Sequence, residues 1–263
     1  MTGDGAAGEC PSTDKPFGDK VKGIVEGFLD VLLPRCCVLC RSPLSMGAYR
    51  WICPSCAGKI PTPPAACPRC ALPFPSEAAL ADSPGHLCAN CRRGAHRFAK
   101  AYSLGLYEGS LRELIHHYKY GGKIHLKDDL VTLLLERAGL MARGSAYNAM
   151  VHVPMHHSRL VSREFDQSRV LASELGRRTG MPHLPRVLER IHATPAQVGL
   201  SKVERRRNVR SAFRVVKPEA IANKRLLLVD DVMTSGATVN ECTRMLQRSG
   251  ASAVEVVTLA RAM

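Results

Sequence analysis

The sequence predicts an α/β protein, a parallel sheet with helices on both faces, preceded by a small cysteine-rich module. Three observations predict it. From Phe98 onward, strand-like runs alternate with amphipathic helical runs, the order a parallel sheet needs because each parallel pair is joined by a long crossover. The apolar run Leu226, Leu227, Leu228, Val229 ends in Asp230 and Asp231, and the small residues Thr234, Ser235, Gly236, Ala237 and Thr238 then open a helix over 239–248. Before that region, eight of the chain's 11 cysteines form four Cys-x-x-Cys knuckles.

Taken in chain order, residues 1–20 carry Asp4, Glu9, Asp14 and Asp19 with no apolar core, so they read as a disordered tail and not as an export signal. Val21, Ile24, Val25, Phe28, Leu29 and Leu32 recur at helical spacing. The opposite face mixes Lys20, Lys22, Glu26 and Asp30, which favours packing on a core over lying on a membrane. The knuckles Cys37/Cys40, Cys53/Cys56, Cys67/Cys70 and Cys88/Cys91 follow, separated by 12, 10 and 17 residues. Tetrahedral Zn²⁺ takes two thiolate pairs per site, so two structural zincs are expected in a module over 21–97. Redox Cys-x-x-Cys motifs occur singly beside a βαβ unit, whereas these four lie in a stretch with Pro54, Pro61, Pro63, Pro64, Pro68, Pro73 and Pro75, which suits a module organised by metal. Spacing leaves both a sequential and a cross-braced pairing open, and Cys36 could replace Cys37 as a ligand. Cys10 reads as a tail thiol and Cys242 as a helix-core residue.

A second unit is expected over 98–263. It begins with a strand near 102–107, then a helix with Leu111, Leu114, Ile115 and Tyr118 on one face and another with Leu126, Leu130, Leu133 and Leu134. A strand at Val151-His152-Val153-Pro154, a helix over 168–178 and a strand over 186–189 come next. Residues 225–229 form the central strand and 253–260 the last.

With 45% apolar residues the chain can bury a core, and a formal charge of +14 with pI near 9.5 favours anionic partners, either nucleic acid or phosphorylated small molecules. No apolar run reaches the length of a transmembrane helix, and a cytoplasmic location is expected.

Three stretches carry chemistry. The backbone N–H groups of Thr234, Ser235, Gly236, Ala237 and Thr238, unpaired at a helix start, can wrap a phosphate that the helix dipole also favours, and Gly236 lets the backbone approach closely. Asp230 and Asp231 stand at the carboxyl edge of the sheet, where carboxylates accept from ribose hydroxyls or hold a hydrated Mg²⁺. After Pro154 comes a donor-rich loop with Met155, His156, Arg159 and Arg163, suited to an anionic group. The segment 194–213 holds Gln197, Lys202, Arg205, Arg206, Arg207, Asn208 and Arg210 against the single acid Glu204, and reads as a nucleic-acid contact or a lid over a bound phosphate.

The acid pair and small-residue loop resemble the phosphoribosyl pyrophosphate (PRPP) signature of type I phosphoribosyltransferases. The order of the whole chain resembles the ComF family: four knuckles, Tyr118-Lys119-Tyr120-Gly121, Val153-Pro154 with Arg159, an Arg-x-Phe-x-Gln element, then Thr194, Gln197, Arg205, Asn208 and Phe213, then Asp230-Asp231-Val232. The resemblance implies a double zinc ribbon before a type I phosphoribosyltransferase-like sheet, and a link to competence and DNA uptake. It also implies that Asp230, Asp231 and residues 234–238 hold the ribose and 5′-phosphate, with residues 155–159 as the pyrophosphate loop. The family usually reads Arg-Gly-Phe-Asn-Gln where this chain has Arg163-Glu164-Phe165-Asp166-Gln167, which puts two acids beside the expected pyrophosphate site. Two readings follow. One is an accessory protein that binds single-stranded DNA and PRPP or a related ribose phosphate, alongside proteins of the uptake machinery. The other is an active phosphoribosyltransferase dependent on Mg²⁺, with an unidentified nitrogenous acceptor. Tyr118 and Tyr120 beside Lys119 could supply stacking for DNA bases.

Overall fold

Both halves of the chain are organised around one sheet. The computed structural model describes residues 35–45, 47–81, 83–139, 146–156, 165–192 and 209–263. The expected tail, the helix over 21–32, Cys10, and the segments 157–164 and 193–208 lie outside the described residues.

The cysteine-rich region is a duplicated ribbon. Cys37 N–H donates to Ser42 O (2.8 Å) and Arg41 N–H to Cys37 O (2.9 Å), and the same turn recurs as Cys67 N–H to Leu72 O (2.8 Å) and Ala71 N–H to Cys67 O (2.9 Å). Arg41 and Ala71 both hold positive φ, 62° and 54°, the left-handed corner that closes each knuckle. A short helix starts directly after the third cysteine of each ribbon, α1 at Pro54–Gly58 after Cys53 and α3 at Ala89–Arg92 after Cys88, with the one-turn α2 at Ala78–Ala81 between them.

The sheet that follows consists of β1 (Ala101–Leu106), β2 (Ala149–His152), β5 (Arg225–Met233) and β6 (Ala253–Arg261), all parallel, in the order β1-β6-β5-β2. Helices α4 (Gly109–Tyr120), α5 (Lys127–Ala138), α6 (Gln167–Thr179) and α7 (Ala237–Arg248) complete the unit. Leu226, Leu227, Leu228 and Val229 are all buried because β5 is central and covered on both faces, as continuous apolar runs in parallel sheets are. Leu227, Val229, Val257 and Leu259 pack with Leu111, Leu114, Leu130, Leu134 and Leu171 on one face, while Leu226, Leu228, Val254 and Val256 pack with Val239, Cys242 and Leu246 on the other.

Each ribbon completes one of these cores. Val38, Ile52, Ala57 and Ile60 join the first, and Cys67, Cys70, Cys88, Cys91 and Phe98 join the second. The linker between the ribbons and the start of the second ribbon run along β1, where Pro61 O accepts from Leu106 N–H and Arg69 O from Ala101 N–H, both at 2.8 Å. The ribbons therefore straddle the sheet and cover an edge strand that would otherwise offer free backbone groups. Asp129 on α5 fastens the first ribbon, its buried carboxylate accepting from the N–H groups of Arg50, Trp51 and Ile52 at 2.7–3.0 Å.

Three differences from the sequence reading stand out. β5 continues through both acids to Met233, because β6 supplies partners as far as Met233↔Arg261. α7 begins at Ala237, so the loop before it is shorter than expected. The strand expected over 186–189 forms as β3 (Leu188–Arg190), but it pairs antiparallel with β4 (Phe213–Val215) in a separate two-stranded ribbon. No helix among the described residues is long and apolar enough to cross a membrane.

Candidate functional site

Asp230 and Asp231 sit on consecutive residues near the C-terminal end of β5, where a strand's pleat would send their side chains to opposite faces. Asp230 Oδ1 accepts from Ser168 Oγ on α6 (3.1 Å) and from Asp231 N–H (2.9 Å). Asp231 is held by Lys119 Nζ at 2.7 Å, from the last turn of α4, with both side chains largely out of water. Burial, and then the adjacent Asp231 charge, pushes the Asp230 carboxyl up to about 7. Near neutral pH the Asp230 carboxyl is therefore partly protonated, and on ionising it adds its charge beside the Lys119–Asp231 ion pair. The pair is poised to gain from hydroxyl donors or a cation.

The loop after the acids is short, running from Thr234 to Gly236. Gly236 takes φ +75° at the N-cap of α7, a conformation a side chain resists, and Ser235 Oγ accepts from Ala237 N–H at 3.3 Å. A Cβ on Gly236 would meet His96 Cε1 at 3.3 Å, so the segment leaving the second ribbon packs directly against the loop. Arg261 ties the two together from below. Its buried guanidinium donates to Cys70 O (3.2 Å), Met233 O (2.8 Å) and Thr234 O. A planar fork satisfying carbonyls of both segments fixes the loop's position relative to the second metal cluster.

The other expected anion loop starts at the end of β2. Met155 and His156 are described and half-buried, whereas Arg159 and Arg163 lie outside the described residues. Asp166 does not face this loop as a bare charge. It is the N-cap of α6, accepting from Arg169 N–H (3.0 Å) and from Met155 N–H (3.0 Å), and burial raises its carboxyl above the ordinary value. Its neighbour Gln167 is fully buried, with neither side-chain amide atom hydrogen-bonded. Beneath the loop, His152 Nδ1 and His183 Nε2 stand 3.1 Å apart, and burial pushes both imidazoles down to about 4, so they are neutral at pH 7.

The cysteines gather sequentially. Cys37, Cys40, Cys53 and Cys56 form one cluster and Cys67, Cys70, Cys88 and Cys91 the other, with all ligand atoms in each within 4.8 Å of one another. Tetrahedral thiolates about 2.3 Å from a zinc stand about 3.8 Å apart. Cys40 and Cys53, and likewise Cys70 and Cys88, have sulfurs 3.6 Å apart. Backbone N–H groups donate to the sulfurs, as from Cys53 to Cys37 Sγ (3.3 Å) and from Cys88 to Cys67 Sγ (3.4 Å), which suits thiolate charge. Both clusters fit structural zinc. Cys37 and not Cys36 completes the first, and Cys242 is buried in α7.

The structure thus joins Asp230, Asp231, Thr234, Ser235, Gly236, Ala237 and Thr238 in one place, with Met155 bonded to the N-cap of α6, the end of the helix whose Ser168 reaches Asp230. Gln197, Arg205, Arg206 and Arg207 lie outside the described residues, and Arg210 is exposed just before β4. Sequence reasoning did not assign Lys119, Ser168, His96 or Arg261 to the site. Lys119 was visible within Tyr-Lys-Tyr-Gly, but nothing in the pattern linked it to Asp231.

What fold and site define is a double zinc ribbon built onto a phosphoribosyltransferase domain. Family models agree, a double zinc ribbon domain matching residues 28–92 and a phosphoribosyl transferase domain matching residues 177–263. The chain is 32% identical over 235 residues to the DNA utilization protein YhgH of Escherichia coli, covering 88% of this chain and 99% of that protein. It is 30% identical over 230 residues to competence protein F of Haemophilus influenzae, covering 86% and 96%. To competence protein ComFC of Streptococcus pneumoniae it is 24% identical over 155 residues, covering 59% and 65%. The chain belongs to the ComF family.

Proposed function

We propose that this chain is a competence-type accessory protein of DNA utilisation that holds PRPP or a related ribose phosphate and binds single-stranded DNA. The observation that carries the ligand half is the union of a lysine-braced acid pair at the end of β5 with a positive-φ glycine loop at the start of α7. In this reading Asp230 and Asp231 accept from the ribose hydroxyls, and the N–H groups of residues 234–238 take the 5′-phosphate. The loop from Met155 and His156 through Arg159 and Arg163 takes the pyrophosphate. Mg²⁺ arriving with PRPP would be held by Asp230 and Asp231 and would neutralise pyrophosphate charge, in competition with Lys119 for Asp231.

The DNA half is supported by the +14 charge, by the names of the relatives and by exposed Arg210 at the end of the basic segment with Gln197, Arg205, Arg206 and Arg207. Proteins of the uptake machinery are the expected partners. A cytoplasmic setting, in which the zinc thiolates stay reduced, belongs to the same reading.

One observation favours a second reading, an active Mg²⁺-dependent phosphoribosyltransferase that passes ribose 5-phosphate from PRPP to a nitrogenous acceptor. Asp166 is used as a helix cap and anchors Met155, so two backbone N–H groups offset part of the charge its carboxylate would turn on pyrophosphate. The test pairs two assays. Single-stranded DNA affinity should fall linearly on a log–log salt plot, and reversing Arg205, Arg206 and Arg207 to Glu should flatten the slope by roughly three phosphate contacts. Pyrophosphate release from PRPP is measured against a panel of nitrogenous bases. Release with a particular base establishes the transferase, and DNA binding indifferent to salt and to the triple reversal removes the DNA half.

A further inference from the structure

We propose that Tyr120 is a stacking seat for a base of single-stranded nucleic acid, on the aromatic and cationic surface where α4 ends beside the acid pair. This rests on the nucleic-acid half of the function proposed above and deepens it. Helix α4 stops at Tyr120 because Gly121 and Gly122 follow: a Cβ on Gly121 would meet His117 O at 2.8 Å, and Gly122 takes φ +63°. The stop leaves Tyr120 60% exposed, and Ile124, four residues on, 41% exposed. Among the described residues only Ile191 and the terminal Met263 are comparably exposed large apolar side chains. Two of four such groups within five residues of one another make a patch and not scatter.

The patch has the composition of a single-strand track. His116, one helical turn back and exposed, lies with its ring centroid 4.9 Å from that of Tyr120, so two rings form one surface. Charges of both signs lie nearby: Glu113, on the same helix, has a carboxylate oxygen 3.9 Å from His117 Nε2. Lys123 follows the two glycines, and Arg41, exposed at the tip of the first zinc knuckle, lies near enough to His117 to help Lys123 and burial hold that imidazole below its usual value. Lys119, the residue before Tyr120, points the other way, to Asp231. Rings that stack on any base, interleaved with cations that meet phosphates, are what sequence-tolerant single-strand binding uses. Tyr118, the other tyrosine of this turn, takes no part, since it is buried with its hydroxyl donating to Gln167 O at 2.9 Å.

The experiment measures binding of labelled oligothymidine, and of an abasic deoxyribose-phosphate chain of equal length, to zinc-loaded full-length protein across a salt series. Loss of one base stack should weaken oligothymidine binding by Tyr120→Ala roughly 5- to 100-fold. The salt slope should stay as in the wild type, because no phosphate contact is lost. Tyr120→Phe should bind like the wild type, since the ring suffices, and the abasic chain should not distinguish wild type from Tyr120→Ala. The melting shift given by PRPP with Mg²⁺ should be the same in Tyr120→Ala as in the wild type. Unaltered oligothymidine affinity in Tyr120→Ala overturns the seat while leaving the salt-dependent binding intact. Equal losses in Tyr120→Phe and Tyr120→Ala overturn it in favour of the hydroxyl. Loss of self-association in Tyr120→Ala with DNA affinity unchanged assigns the patch to a second copy of this chain. Wild-type protein that binds no DNA removes the seat and the DNA reading together, and leaves the PRPP shift as a separate result.

Discussion

Replacing Asp230 by Asn keeps the side chain's shape and its Oδ1, which accepts from Ser168 Oγ and Asp231 N–H, and puts an uncharged amide NH2 in place of the ionisable oxygen. The carboxyl rises from 3.8 to about 7 in the fold, through burial first and the Asp231 charge second. A raised carboxylate pKa means the folded state holds a proton that the unfolded chain has released. Stability is therefore lost as pH climbs from about 4 to about 7 and stays low above that. At about 1.4 kcal/mol per pKa unit the loss has a ceiling of about 4 kcal/mol, and because the half-buried carboxylate keeps some water contact about 2 kcal/mol is expected. For a chain of this size that corresponds to a rise in melting temperature of roughly 4–8 °C for Asp230→Asn at pH 8. The gap between variant and wild type should fall by roughly half at pH 5.5, where the folded wild type is already protonated. Thermal melts followed by circular dichroism at the two pH values, with zinc content checked in each, read this directly. An Asn variant that melts below the wild type at pH 8, or a gap that ignores pH, refutes the reasoning.

Metal analysis of purified protein should return two zincs per chain, and Cys53→Ser or strong chelation should lower the melting of the whole chain, because each ribbon completes one of the sheet's cores; a second unit that melts unchanged contradicts this. Gly236→Ala should cost about 1–2 kcal/mol for the left-handed conformation and weaken PRPP binding, by denaturant titration and thermal shift respectively. Arg261→Met should remove the donor that the carbonyls of Cys70, Met233, Thr234 and Ala262 share and reduce the PRPP-induced melting shift, with partial recovery in Arg261→Lys; an undiminished shift would mean the loop keeps its shape without the strut. Lys119→Met should destabilise the fold by about 1–3 kcal/mol at pH 8, and less near pH 5, since it leaves the acid pair uncompensated.

Much of the sheet could be read in the sequence because its signals are local. Four consecutive apolar residues ending in two acids mark β5, and helical periodicity in Leu111, Leu114, Ile115 and Tyr118 marks α4, whose buried face is those four residues. β4 carried no such signal. Phe213–Val215 is three residues long, and its antiparallel partner is fixed by Phe213 packing in the second core. The zinc pairing was ambiguous because spacing says nothing about which knuckles fold together, and the structure groups them in sequence order. In the site, the loop and acids were legible, whereas Lys119, Ser168 and Arg261 were not, since each reaches its partner from a distant part of the chain. Arg261, near the chain's end, looks like a surface residue and is in fact buried. Asp166 illustrates a signal present but misjudged: an acid directly before a helix is a favoured cap, and the structure uses it so.

The central claim is that the acid pair and the loop before α7 hold a ribose phosphate. Isothermal titration of PRPP with Mg²⁺ into the zinc-loaded full chain, and into the Asp230→Asn/Asp231→Asn double variant, tests it most directly. The account predicts saturable binding at one PRPP per chain in the wild type and its loss in a double variant that remains folded. No binding heat in the wild type, or equal affinity in the two proteins, would contradict it.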